Sequence, residues 1–80
     1  MFTHDPREIN GIIVMLLAVN VVANRTTYLA RGPLHDYFIV KRSTRCFDVE
    51  SYDDDFIDEA STLEEACQII MECEEGRVPW

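Results

Sequence analysis

No lysine or arginine occurs between Cys46 and Glu75, a stretch that holds twelve carboxylates. They are Asp48, Glu50, Asp53, Asp54, Asp55, Asp58, Glu59, Glu64, Glu65, Glu72, Glu74 and Glu75. Residues 1–45 carry +3 and Arg77 adds +1, so the net charge is −8. This balance excludes a nucleic-acid binder driven by overall positive charge. Carboxylates without a countercharge repel one another in a compact state. Solubility alone is served by interspersed signs. A segregated acidic half therefore points to a surface that meets a basic partner, beside the plainer reading of a solvated acidic face.

Catalytic signatures are missing as well. There is no Gly-x-Ser-x-Gly, no Cys–His pairing and no phosphate loop. Paired carboxylates abound, but acid catalysis needs a cleft that raises a carboxyl pKa. At 80 residues the chain makes one small domain that buries roughly 60% of its unfolded surface. The expectation is a protein with no enzyme activity and no cofactor. Cys46, Cys67, Cys73, His4 and His35 are not at zinc-finger spacing. Asp53, Asp55 and Asp58 lack the glycine and terminal glutamate of an EF-hand loop. Three cysteines, an odd number, argue against a closed intrachain framework and fit a reducing cytoplasm. Cys67 reads as a small buried hydrophobe. Cys73, if exposed, is a candidate for an intermolecular disulfide, although neighbouring glutamates raise its thiol pKa.

No apolar run is long enough to span a bilayer. Ile12 to Ala23 covers 12 residues against about 20 needed. Asp5 and Glu8 cancel the positive start that a secretory signal requires.

Along the chain, Asp5-Pro6-Arg7-Glu8 has the form of a helix start. It predicts an apolar helix from Pro6 to about Asn24, suited to a homodimer interface. The β-branched residues in it keep a buried strand as the rival reading. Arg25–Arg31, Asp36–Ser43 and Cys46–Tyr52 read as strands of an antiparallel three-stranded meander. In the last of these, Phe47 and Val49 alternate with Asp48 and Glu50. Gly32-Pro33 and Ser43-Thr44 are the turns. Phe56 and Ile57 are apolar anchors on a short acidic turn or helix. Ser61-Thr62-Leu63-Glu64 reads as a capping box opening a helix from Thr62 to about Glu75, ended by Gly76. Leu63, Ala66, Cys67 and Ile70 form its core stripe. The predicted class is α+β: apolar helix, three-stranded meander, acidic turn, acidic amphipathic helix. Arg25, Arg31, Lys41, Arg42 and Arg45 are a basic set able to touch phosphates; the preferred reading is edge-strand charges that discourage aggregation and balance the acidic half.

A duplex presents one phosphate charge per about 1.7 Å of axis, so twelve carboxylates equal roughly 20 Å of DNA. A helix of about 14 residues is about 21 Å long. In size, acidity and helix–meander–helix layout the chain resembles small anti-CRISPR proteins of phages and other mobile elements. It is most similar to inhibitors of type I systems, the type I-C group among them. The resemblance spans the chain as a profile without a shared motif, so no residue role is carried over. It implies a protein in the bacterial cytoplasm that binds the surveillance complex and blocks target double-stranded DNA by mimicking it. It implies no direct contact with nucleic acid or membrane. The twelve carboxylates are the contact pool. Two other classes share these features: an antitoxin-like protein masking a basic partner, and a structural homodimer with a solubilising acidic face.

Overall fold

The computed structural model describes residues 6–53 and 55–76. The chain forms β1 (Arg7–Ile9), β2 (Ile12–Asn20), β3 (Arg25–Arg31), β4 (Asp36–Ser43), β5 (Cys46–Ser51), β6 (Phe56–Ala60) and α1 (Leu63–Glu74). The strands pair antiparallel in sequence order as one six-stranded sheet. The helix packs on one face, chiefly against β5 and β6. The architecture is mostly β with one helix.

The expected N-terminal helix is absent: Pro6 to Asn24 is a hairpin and its following turn. Asp5, the proposed cap, lies outside the described residues. Two local causes decide for strand. Ile12, Ile13, Val14 and Val19 are β-branched and fit a pleated surface. Asn10 and Gly11 both have positive φ, 51° and 85°, the pair of left-handed residues that a two-residue hairpin turn requires. Ile9 then pairs with Ile12 and Arg7 with Val14. Glycine adopts such a φ without the Cβ clash that other residues meet.

The next turn is set by its asparagines. Asn20 Oδ1 accepts from the Ala23 N–H at 3.0 Å, and the Asn24 N–H donates to the Val21 carbonyl at 3.2 Å. The three expected meander strands are β3, β4 and β5, with close to the expected bounds. Phe56 and Ile57 belong to β6, not to a helical turn. The hydroxyl and N–H of Ser51 explain this: Ser51 Oγ accepts from the Asp55 N–H at 3.1 Å, and the Ser51 N–H donates to the Asp55 carbonyl at 2.8 Å. That tight corner returns the chain onto β5.

The capping box exists one residue later than expected. Thr62 is the N-cap and its hydroxyl accepts from the Glu65 N–H at 3.0 Å. Glu65 Oε1 in turn accepts from the Ser61 N–H at 2.8 Å. Gly76 ends the helix with φ 76°, and its N–H donates to the Cys73 carbonyl at 3.0 Å.

The core lies between the helix and one sheet face. Ile12, Val14, Ala30, Tyr37, Ile39, Phe47 and Val49 meet Ala66, Cys67, Ile70 and Cys73 there. Of the expected helix stripe, Leu63 is partly buried and the rest fully. Alternation places a second set on the opposite face, where Met15, Leu29, Phe38 and Glu50 stand opposite one another across four strands. No described element covers that face.

Candidate partner-binding surface

A sheet ordered as the chain runs converts charge segregation in sequence into segregation in space. β5, β6 and α1 hold the acidic half, and they pack together at one side of the molecule. Eleven of the twelve carboxylates are described; Asp54 is not. They occupy different surfaces and do different work.

Asp48, Glu50 and Glu59 belong to the uncovered sheet face: Asp48 stands opposite Glu59, and Glu50 opposite Phe56. Arg42 neutralises two of them. Its Nε lies 2.8 Å from Asp48 Oδ2, and its Nη2 donates to Glu59 Oε2 at 2.9 Å and to Cys46 Sγ at 3.1 Å. The Cys46 thiol itself donates to Glu59 at 2.9 Å. Its pKa is raised, first by that bond to Glu59 and then by desolvation, with Arg42 pulling the other way. Cys46, Asp48 and Glu59 present ligand atoms within 4.8 Å of one another. The Arg42 guanidinium already supplies the positive charge among them, and exposed acidic groups alone do not make a metal site.

Asp53 and Asp55 flank the β5–β6 corner and are exposed. Asp58 stands opposite Val49 on β6, and its Oδ1 accepts from the Glu59 N–H at 2.7 Å. Glu64 and Glu65 sit in the first helical turn, where negative charge complements the helix dipole. Glu65 is engaged in the cap. Glu72 accepts from Gln68 Nε2 at 3.4 Å, and Glu75 is the C-cap.

Glu74 is set apart from this surface. Its side chain is only 2% exposed. Oε1 accepts from the Leu34 and His35 N–H groups at 2.6 and 2.8 Å, and Oε2 contacts His35 Nδ1 at 2.8 Å and the Tyr37 hydroxyl at 2.9 Å. Burial pushes its pKa up; the bonds from His35, Leu34 and Tyr37 outweigh that and hold it below the ordinary value. The same site raises the Tyr37 pKa far above normal, by burial first and then by the bond to Glu74. Glu74 is thus a structural latch between the helix end and the β3–β4 loop. Cys73 is buried, which removes the exposure that an intermolecular disulfide required.

The residues that complete an interface are aromatic. Tyr52 is 61% exposed and Phe56 63%, both beside the acidic corner. Tyr52 stacks on Phe38, ring centroids 5.4 Å apart, so one face of its ring is packed against the sheet. Buried aromatic anchors inside a charged rim are the usual composition of a protein interface. Phe56 stood out in the sequence as an apolar residue among acids; Tyr52 did not, because its stack on Phe38 spans two strands.

Neither a protein-family model, nor a curated protein, nor a solved structure matches the chain. Among the described residues no helix is long and apolar enough to cross a membrane.

Proposed function

We propose that the protein is a non-enzymatic binding module that docks its acidic β5–β6–α1 side onto a basic surface of a protein complex. The specific candidate is the DNA-binding channel of a type I CRISPR surveillance complex, as in the small anti-CRISPR inhibitors. The carrying observation is spatial: the half of the chain without lysine or arginine forms one side of the molecule. The exposed Tyr52 and Phe56 at its corner supply apolar anchors that a purely solubilising surface does not need. The rest of the resemblance is narrower than the sequence profile. The helix–meander–helix layout is gone, and Asp48, Glu59 and Glu74 are engaged within the fold, so fewer than twelve charges face outward. Contact then centres on Asp53, Asp55, Glu64 and Glu72 with the two aromatics.

The test mixes the purified protein with a type I-C surveillance complex and titrates labelled target duplex. Co-elution with the complex, loss of duplex binding and weakening with salt are the expected results. Reversal of Asp53, Asp55, Glu64 and Glu72 to lysine should abolish all three while leaving the circular dichroism spectrum intact. Absence of co-elution rejects this target. Retained affinity after the reversal rejects the acidic side as the contact.

A further inference from the structure

The other end of the sheet carries the opposite chemistry. The β2–β3 and β4–β5 turns flank a cavity of about 290 Å³ lined by Asn24, Thr26, Lys41, Ser43 and Thr44. Thr26 and Lys41 face each other directly across β3 and β4. A register irregularity between Lys41 and Ser43 bends the strand end there, and Asn24 closes the wall in a left-handed conformation, φ 55°. Every lining side chain offers a hydrogen-bond donor: an ammonium, three hydroxyls and an amide. None is a carboxylate and none is aliphatic.

Some of the cations around it have no ion pair among the described residues. Arg31 pairs with Asp36, and Arg42 with Asp48 and Glu59. No ion pair with a described residue engages Arg25, Lys41 or Arg45. Arg25 follows Asn24 and Arg45 follows Thr44, so both flank the lining. The sequence suggested that these cations guard sheet edges. The edges are instead β1 and β6, and Arg25 and Lys41 lie on the interior strands β3 and β4, where no exposed edge needs protecting. The Lys41 ammonium rests 5.8 Å from the Phe47 ring centroid, a cation–π contact that restrains it.

We propose that this cavity is a binding site for a small doubly charged oxyanion, inorganic phosphate or a phosphomonoester. Lysine acts as a point charge toward phosphate, and hydroxyl and amide donors complete the shell. A metal ion finds no anionic ligand among the lining residues, and their mostly polar surface does not suit an apolar molecule. The volume lies at the small end of ligand clefts and exceeds that of a phosphate group alone, which leaves room for the organic part of a phosphomonoester. The lining includes none of the acidic docking residues, and failure of this site would leave that reading untouched.

The experiment is a titration of the full ¹⁵N-labelled chain with inorganic phosphate, and separately with phosphoserine, at constant ionic strength set by sodium chloride. Saturable amide shifts confined to residues 24–26 and 41–45 are expected. Tighter binding of phosphoserine assigns a phosphomonoester; equal binding assigns the free anion. Lys41→Gln should weaken binding about tenfold or more, since it removes one charge-assisted bond. Arg31→Gln, whose guanidinium is already paired, should bind as the parent does. Linear, non-saturating shifts, shifts centred elsewhere, or unchanged affinity in a folded Lys41→Gln variant would overturn the assignment.

Discussion

The Tyr37 hydroxyl donates to Glu74 Oε2 at 2.9 Å, tying a buried residue of β4 to the last turn of the helix. Glu72, Glu74 and Glu75 all lie where the helix dipole is negative, and the last turn has no basic residue. Such a placement is unfavourable in isolation. The β3–β4 loop compensates by turning two backbone N–H groups and the His35 ring onto Glu74. One carboxylate thereby closes the helix onto the sheet.

Acid should loosen this closure. The Glu74 pKa is depressed in the folded chain relative to its ordinary value of 4.5. The latch therefore contributes its full stability above the unfolded pKa and loses it as pH falls through the folded value. Urea unfolding at pH 7 and at pH 3 should show a larger drop for the parent than for Glu74→Gln, whose amide does not titrate. At pH 7 Glu74→Ala should cost about 3 kcal/mol, because it leaves several donors without an acceptor. Equal pH slopes in parent and Glu74→Gln would remove Glu74 from the acid response.

The loop approaches the carboxylate closely, and hydrogen bonds hold that carboxylate in place. A Cβ on Gly32 would lie 2.9 Å from Glu74 Cδ and collide with Oε1. Gly32→Ala should destabilise by about 1–3 kcal/mol, the range for overpacking. In the Glu74→Ala background the same change should cost much less, since its collision partner is gone. A double-mutant cycle measured by thermal or urea unfolding reads this coupling; additive costs would refute it.

The legible parts of the fold were those with a local signature. Phe47 and Val49 alternating with Asp48 and Glu50 announced β5, and the Ser-Thr-Leu-Glu-Glu run announced the helix to within a residue. The N-terminal segment misled because Asp5-Pro6 copies a helix start and the apolar run is unbroken. The deciding residues were Asn10 and Gly11, whose left-handed pair makes a turn; Gly11 alone reads only as a weak helix residue. Glu74 and Arg42 were not legible in their roles. Both act through partners brought close by strand order: His35 and Tyr37 lie nearly forty residues from Glu74 in the chain, and Glu59 lies on β6, two strands from Arg42. The acidic side was legible because a sequential meander leaves neighbouring segments as neighbouring strands.

The left-handed backbone of Gly11 distinguishes a hairpin from a helix directly. Gly11 has φ 85° and faces only the Met71 side chain. Space is available, so the cost of a side chain there is conformational. Gly11→Ala should destabilise by about 1 kcal/mol and Gly11→Val by more, since a β-branched residue is least tolerated at positive φ. In a helix the same alanine would stabilise by about 1 kcal/mol. The sign of the change in urea midpoint therefore separates hairpin from helix.

Thiol chemistry should single out one cysteine. Cys67 and Cys73 are buried while Cys46 is half-exposed. Burial pushes the Cys67 thiol up to about 11 and raises Cys73 as well. In the native chain one thiol should react with Ellman's reagent, and the other two only after unfolding. Reaction requires the thiolate, and Cys46 is held protonated chiefly by its bond to Glu59. Glu59→Gln should speed its reaction by removing that carboxylate. Arg42→Gln should slow it, because the guanidinium is the group that lowers the thiol pKa. Two fast thiols in the native chain would contradict the burial of Cys73. A rate indifferent to both substitutions would contradict the Arg42–Cys46–Glu59 arrangement.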